Sequence, residues 1–206
     1  MLTSFGIGSR TGVSFLGEDA GYIAKPDVVD HVTKHTQIFG QGITATSAQI
    51  ASVYQTLGNG GVRMPLTLVA GCEADDGTVS NLPPADGIPV ISESAAKQTL
   101  SMMETVATQG SMRDLAKVPG YRIAIKSGTA EVARNGVYSE DRIISVAGVA
   151  PAENPKFAVV VTFGLPQVGR TSSDAATTFA KLMGQALKYY RVPPSSGRAE
   201  NLPTEW

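Results

Sequence analysis

The spacing of apolar residues predicts three amphipathic helices in this chain. Their expected ranges are residues 44–57, 93–109 and 174–190. A hydroxyl residue that can cap the helix lies at each start: Thr44 or Thr46, then Ser92, then Ser172 or Ser173. Gly58 and Gly110 provide the stops of the first two helices. The apolar stripes predict these buried side chains: Ile50, Val53, Tyr54 and Leu57; Ala96, Leu100, Met103 and Ala107; and Ala176, Phe179, Met183, Ala186 and Tyr190.

Between the second and third helices, the pattern changes to runs rich in β-branched residues, which are typical of strands. These runs cover residues 121–132, 142–149 and 157–163. Asn135-Gly136 is a hairpin signal in the first gap, and Pro151–Pro155 is a short second connection. Because short connections join antiparallel neighbours, the pattern predicts a three-stranded antiparallel meander. The predicted fold class is therefore α/β (α+β), with an antiparallel β-sheet flanked by helices.

The remaining segments carry weaker patterns. Residues 1–42 are rich in glycine and polar residues, and we expect an irregular excursion over a larger body. Residues 66–70 predict a short strand, followed by a turn at Asp75–Gly77. Residues 193–206 are rich in Pro, Ser and Glu, so we expect a folded domain over 1–192 and a flexible C-terminal tail.

The composition narrows the functional classes. The chain has 206 residues, of which 42% are hydrophobic and 17% are charged, as in an ordinary globular protein. A net charge of −1 does not indicate nucleic acid or an anionic membrane as a partner. No apolar run approaches the roughly 20 residues that span a bilayer, and the first residues lack the basic start and apolar core of a signal peptide. The single cysteine, Cys72, excludes an internal disulfide.

The candidate chemistry lies in the first predicted strand, which runs into Lys126, Ser127, Gly128 and Thr129. A cation, two hydroxyls and a residue without a side chain favour an anionic, peptide-like ligand. At a sheet edge, free backbone groups can pair with an extended peptide, and Gly128 permits its close approach. The two hydroxyls can bind a carboxylate that Lys126 attracts, and a backbone N–H near Thr129 can stabilise an oxyanion. The tetrapeptide alone is equally compatible with a strand that ends in a polar loop.

Four stretches of the chain follow one another in a suggestive order. They are Phe5–Gly12 with Gly17-Glu18, Phe39–Gln49, Tyr121–Ala130 and Ala147–Ala152. Taken in this order, the four stretches resemble the motifs F-G-x-G-x-x-T-G…G-E, G-x-G-x-x-x-T-P-x-Q, the K-T-G strand and A-G-x-A-P. Together they resemble the C-terminal half of the transpeptidase domain of class B penicillin-binding proteins, of the septal type. Two positions depart from that pattern: Ser47 stands where proline is usual, and Glu131 stands where many relatives carry a basic residue.

The resemblance implies part of a penicillin-binding-protein/β-lactamase-like fold and a peptidoglycan D,D-transpeptidase without a cofactor. In this family the serine of an S-x-x-K motif attacks the D-Ala–D-Ala bond of a stem peptide. An amine of a neighbouring strand then takes over the acyl group, and β-lactams acylate the same serine. Lys126 is expected to act electrostatically and in proton transfer, while Ser127, Gly128 and Thr129 bind substrate.

The same resemblance implies partners and a location. Stem peptides, β-lactams and division proteins are the expected partners. The expected location is the extracytoplasmic face of the bacterial cytoplasmic membrane, with the anchor outside these 206 residues.

Two family motifs, S-x-x-K and S-x-N, are expected upstream of this chain. No Ser-x-Asn occurs in the sequence, and the one S-x-x-K match is Ser94–Lys97. Because serine is a routine helix-start residue, we predict a surface serine and a solvated lysine there. The chain alone is therefore expected to be inactive. The strand at 157–163 would then expose an apolar edge that pairs with the N-terminal half of the domain or with a second copy.

Two other functional classes fit parts of the pattern. A non-catalytic module that binds peptidoglycan or serves as a division scaffold would lack the upstream S-x-x-K and S-x-N motifs. A serine β-lactamase or β-lactam sensor shares related motifs and differs in its deacylation rate. His31 and His35 have the i, i+4 spacing of helical metal ligands, but no Glu follows the first histidine, and we predict no metal site.

Overall fold

The computed structural model describes residues 1–13, 15–25, 29, 31–81, 86–134, 137–169, 171–200 and 202–204, with backbone only at 32, 39 and 133. The α-helices in this part are α1 His31–Thr36, α2 Ser47–Gly58, α3 Glu93–Gln109 and α4 Ser172–Tyr189. The strands are β1 Tyr22–Ile23, β2 Ile43–Thr44, β3 Val62–Arg63, β4 Cys72–Glu73, β5 Val79–Ser80, β6 Ile88–Pro89, β7 Ala124–Arg134, β8 Val137–Ala150 and β9 Phe157–Gly164. Short 3₁₀ turns cover Thr3–Phe5 and Gln37–Phe39.

The three long strands form one antiparallel sheet in the order β7-β8-β9. This confirms the predicted meander. Strand β8 begins at Val137 rather than at 142, because β7 and β8 continue to pair beyond a register irregularity between Glu131 and Ala133. The hairpin signal Asn135-Gly136 lies outside the described residues.

Helices cover both faces of this sheet. On one face, α4 closes a buried cluster whose central members are Ile125, Val146, Val161, Phe179 and Met183. On the other face, α2 and α3 close a second cluster that contains Leu57, Leu100, Met103, Ala124 and Val149. Alternate residues of each strand enter the two clusters, as the two-residue period of a strand requires. The arrangement confirms the predicted fold class, an antiparallel sheet flanked by helices.

Helix α2 begins at Ser47, later than predicted, because Thr44 pairs in β2 and is not the cap. The cap is Thr46, whose hydroxyl accepts a hydrogen bond from Gln49 N at 3.1 Å. The Gln49 side chain accepts one from Thr46 N at 2.8 Å, which completes a capping box. In the predicted stripe, Leu57 alone is buried, with 8% of its surface exposed. The other buried positions are polar: Gln49, Ser52 and Thr56.

Helix α3 matches its prediction at both ends and along its stripe. The Ser92 hydroxyl accepts a hydrogen bond from Ala95 N at 3.2 Å, and the helix ends before Gly110. The predicted buried residues are all buried: Ala96, Leu100, Met103 and Ala107. Two polar residues of the same helix, Glu104 and Thr105, are buried as well.

Helix α4 departs from its prediction at both ends. It begins at Ser172, and its N-cap is Thr171, which forms no side-chain cap bond, so the predicted serine caps are wrong. Its buried stripe ends on Leu187, which is 0% exposed, whereas Tyr190 is 66% exposed. The reason is geometric, since one helical turn beyond Met183 reaches residue 187 and Tyr190 follows the helix end.

The segments outside this core are mostly irregular. The predicted strand at 66–70 is wrong, because these residues form no strand. The strand before them, β3, pairs with the distant β6. The predicted turn at Asp75–Gly77 is confirmed and joins β4 to β5. Within the described residues, no helix has the length and apolar character that a membrane crossing requires. In the C-terminal segment, the backbone N–H of Ser195 donates to the carbonyl of Gly120 at 2.9 Å. The domain boundary at 192 and the flexible tail stay predictions.

Candidate active site

Residues Lys126–Thr129 lie in β7, which is an edge strand in the described part of the chain. Strand β7 pairs with β8 along one side. Its other side has no strand neighbour among the described residues, and the backbone N–H and C=O groups there can receive an extended peptide as a further strand.

The four side chains of this segment do not share one face of the sheet. Ser127 and Thr129 follow Ile125 by two and four residues and therefore lie on the same face of the sheet, which α4 covers. Lys126 and Gly128 lie on the opposite face, which α2 and α3 cover. Sequence reasoning grouped these residues by their order in the chain, whereas the strand separates the cation from the two hydroxyls. Only a ligand that lies along the edge can contact groups from both faces.

Lys126 carries an exposed ammonium group beside the strand backbone. Its Nζ donates a hydrogen bond to the carbonyl of Ser127 at 2.8 Å. Among the described residues, no carboxylate forms an ion pair with it. The positive charge is therefore not neutralised within this part of the protein, and it can attract an anion at the β7 edge.

Gly128 leaves space for a neighbouring hydroxyl. It pairs with Ser145 of β8, and a Cβ at Gly128 would lie 2.8 Å from the Ser145 Oγ. Ser145 in turn pairs with Thr162 of β9, whose Oγ1 accepts a hydrogen bond from the Ser47 Oγ at 3.3 Å. These hydroxyls form a polar row across the sheet, which sequence reasoning missed. The polar positions of β8 and β9, aligned by an antiparallel register, are the signal that could have found it.

The histidine pair lies on the short helix α1. His31 Nε2 and His35 Nε2 are 3.3 Å apart, and the two rings meet edge to face at 4.5 Å between centroids. In the described part of the chain, no group of three His, Cys, Asp or Glu side chains could hold a metal ion.

Comparison with known proteins places the chain in a family. The penicillin-binding protein transpeptidase domain matches residues 1–184, which is most of the chain. The chain belongs to this transpeptidase family. The match confirms the resemblance that the four sequence stretches indicated.

Several members of the family are similar over nearly the whole chain. The peptidoglycan D,D-transpeptidase FtsI of Escherichia coli K12 is 36% identical over an alignment of 195 positions that covers 93% of this chain and 32% of FtsI. The penicillin-binding protein PbpB of Mycolicibacterium smegmatis is 35% identical over an alignment of 207 positions that covers 95% of this chain and 32% of PbpB. The chain thus spans about a third of the length of the curated relatives it matches.

Solved structures of the family share the fold. A peptidoglycan synthetase from Bifidobacterium adolescentis superimposes with a TM-score of 0.90 at 33% identity, over 100% of this chain and 38% of that one. Penicillin-binding protein 3 of Mycobacterium tuberculosis in complex with ampicillin has a TM-score of 0.86 at 31% identity, over 97% of this chain and 47% of that one.

The S-x-x-K match of this transpeptidase-family chain lies on the surface of α3. Ser94 Oγ accepts a hydrogen bond from Gln98 Nε2 at 3.0 Å. Lys97 Nζ forms an ion pair with Glu93 Oε1 at 2.6 Å, and both side chains are about two-thirds exposed or more, at 72% and 68%. Hydrogen bonding to Lys97 holds the pKa of Glu93 below its usual value. Serine and lysine are therefore bound to other partners than each other, which does not favour a nucleophile at Ser94.

Proposed function

We propose that this chain supplies the substrate-binding wall of a peptidoglycan D,D-transpeptidase of the septal type. The observation that carries the proposal is the position of Lys126–Thr129 on an edge of β7 that no strand of the described residues pairs with, where Gly128 has no side chain. The FtsI and PbpB relatives, at 36% and 35% identity, support the reaction class and a role in division.

In this proposal the stem peptide lies along the β7 edge as an additional strand. Its terminal carboxylate meets the charge of Lys126 and the hydroxyls of Ser127 and Thr129, which reach the edge from opposite faces. Gly128 lets the peptide backbone approach closely. The ligand is thereby oriented by backbone pairing and by charge together.

The chemistry proceeds through an acyl-enzyme. A serine Oγ attacks the carbonyl carbon of the D-Ala–D-Ala bond, and the terminal D-Ala leaves as an amine that takes up a proton. The N–H near Thr129 stabilises the oxyanion, and Lys126 assists proton transfer by its positive potential. An amine of a neighbouring peptide then attacks the ester and restores the serine. A β-lactam forms an ester with the same serine as its ring opens, and its former amide nitrogen stays attached to the acyl group.

We assign the nucleophile to a segment outside these 206 residues. The same segment would supply the strand that pairs with β9 and the anchor on the extracytoplasmic face of the membrane. Ser94 is the one competing position by motif, and its hydrogen bond to Gln98 supports a surface role.

Intact mass spectrometry after incubation with excess fluorescent penicillin tests the proposal. The chain alone should gain no mass, whereas an adduct that disappears in Ser94→Ala would overturn the assignment of the nucleophile. The chain joined to the upstream part of its gene should gain one penicillin, and Lys126→Ala should slow that reaction. Lys181→Ala, on the exposed side of α4, is the matched charge control and should not. A joined protein that binds stem peptide without acylation would be the non-catalytic module.

A further inference from the structure

Arg122 lies two positions before β7 and is held by three other parts of the chain. Its backbone N–H donates to the Ser195 Oγ at 2.8 Å, and its carbonyl accepts from Ala152 N at 2.9 Å. Its guanidinium donates through Nε and Nη2 to the two carboxylate oxygens of Glu104, at 2.7 Å each. Glu153 Oε2 lies 3.9 Å from the same Nε. Helix α3, the turn after β8 and the C-terminal segment therefore meet at one residue.

The ion pair at this point is largely buried. The Glu104 side chain is 4% exposed and the Arg122 side chain 23%. The parallel hydrogen bonds fix the plane of the guanidinium, which a lysine ammonium cannot reproduce. The hydrogen bond to Glu104, together with the charges of Glu104 and Glu153, raises the pKa of Arg122 above its ordinary value against the opposing effect of burial. The guanidinium therefore stays charged across the working pH range.

The strand that follows has a strand partner on one side. Within the described residues β7 pairs with β8, and its register becomes irregular after Glu131. Gly128 adds no side-chain packing in its middle. The Arg122 side chain contacts Glu104 of α3, and Lys126 lies on the face of the sheet that α2 and α3 cover. At about 3.3 Å per residue, Arg122 lies about 13 Å from Lys126 along the chain.

We propose that Arg122 is a positioning residue for the Lys126–Thr129 edge: its contacts with Glu104, Ala152 and Ser195 set where β7 lies against α3. The inference rests on the proposed function of that edge. A shift of the strand by a fraction of an ångström would misplace the ligand carboxylate and the oxyanion donor together, and misplacement of this kind is costly in rate.

The test uses the full-length gene product and follows acylation by fluorescent penicillin. Arg122→Gln should lower the acylation rate constant about tenfold at a temperature where the variant is folded. Arg122→Lys keeps the charge and loses the two parallel hydrogen bonds. Its acylation rate constant should lie between those of the wild type and of Arg122→Gln. Amide hydrogen exchange should become faster in the same order at residues 126–129 and change less in β9, whereas a loss of global stability alone would accelerate both.

Arg134→Gln is the matched control, because Arg134 also belongs to β7 and forms an exposed ion pair with Asp141 of β8 at 2.6 Å. It should change neither the acylation rate nor the exchange at 126–129.

If Arg122→Gln does not fold, the double variant Arg122→Gln/Glu104→Gln replaces it, since the double variant leaves no unpaired buried charge. A folded Arg122 variant with wild-type acylation and exchange would overturn the inference. A wild-type protein that is not acylated contradicts the proposed function instead, and the exchange measurement still decides the role of Arg122.

Discussion

The bare Cα of Gly128 leaves room for the Ser145 hydroxyl on the neighbouring strand, since a Cβ there would lie 2.8 Å from the Oγ. We expect Gly128→Ala to lower the free energy of unfolding by about 1 kcal/mol, because the added methyl group overpacks this contact. Urea unfolding of both proteins measures the difference. The same change should weaken ligand pairing at the β7 edge, which the acylation assay reports.

Two variants separate this contact from the general effect of adding a methyl group. Gly164→Ala, at the end of β9, meets no atom within 4 Å and should not destabilise the protein. In a Ser145→Ala background the cost of Gly128→Ala should disappear, because the crowded oxygen is gone. An unchanged cost in that background would show that the Ser145 contact is not its cause.

Tyr54 provides a prediction for alkaline pH. It lines a cleft with Pro155 and Phe157, and burial raises its pKa from 10.0 to about 12. The unfolded chain loses the phenol proton at the lower pH while the folded chain keeps it, so the free energy of unfolding should fall as pH rises between these values. Urea unfolding across that range should show a smaller fall in Tyr54→Phe than in wild type. Equal slopes would contradict the assigned burial effect.

The residues that sequence reasoning missed are polar residues in buried places. A search for apolar periodicity finds Leu57 on α2, but it cannot find Gln49 or Thr56, which are 1% and 0% exposed. The Thr56 hydroxyl donates to the Ser52 carbonyl of the same helix at 2.7 Å, whereas the burial of Gln49 involves partners far away in the chain. Gln49 Nε2, for example, donates to the carbonyls of Ser9 and Ala20 at 2.7 Å each. Such partners are fixed by tertiary structure and not by local pattern.

Among the elements, those with a complete local signal were predicted best. Helix α3 has its cap, stripe and stop within one short segment, and its bounds Glu93–Gln109 agree with the prediction. The strands of the meander are adjacent in sequence and needed only short turns. By contrast, β3 pairs with β6 across an intervening hairpin, so no local pattern near 66–70 could locate the pairing. The Lys126–Thr129 segment was found as a strand, while its division between two faces required the register.

The attachment of the N-terminal segment to α2 gives a prediction at this scale. Gln49 donates to three carbonyls of that segment, those of Gly6, Ser9 and Ala20. We expect Gln49→Leu to lower the free energy of unfolding by about 3 kcal/mol, because these three carbonyls lose the donor that the buried amide supplies. Amide exchange should become faster in the N-terminal segment before it does in the sheet. Gln98→Leu, at an exposed position of α3, is the control and should change neither the free energy of unfolding nor the amide exchange. Amide exchange that accelerates equally throughout the chain in Gln49→Leu would contradict the attachment.

For the whole molecule, the sheet has two edge strands with different surroundings. Strand β7 carries the candidate site, and β9 carries the run of apolar residues Phe157–Phe163. Within the described residues, no strand pairs with the outer side of β9, and exposed edges of this kind recruit other chains. The chain spans about a third of the length of its curated relatives, and the partner proposed above for this edge is the remaining part of the transpeptidase domain.

We therefore expect the isolated chain to self-associate through β9 at micromolar concentration, and light scattering coupled to size exclusion measures this as a function of concentration. Thr162→Lys places a charge on the exposed part of β9 and should weaken the association, because a charged edge repels a second copy. Thr177→Lys adds the same charge on an exposed position of α4 and should not. Addition of the upstream half of the domain should compete with self-association if both use this edge. A wild-type chain that stays monomeric at all concentrations would show that β9 is already protected, and the pairing proposed for it would then be wrong.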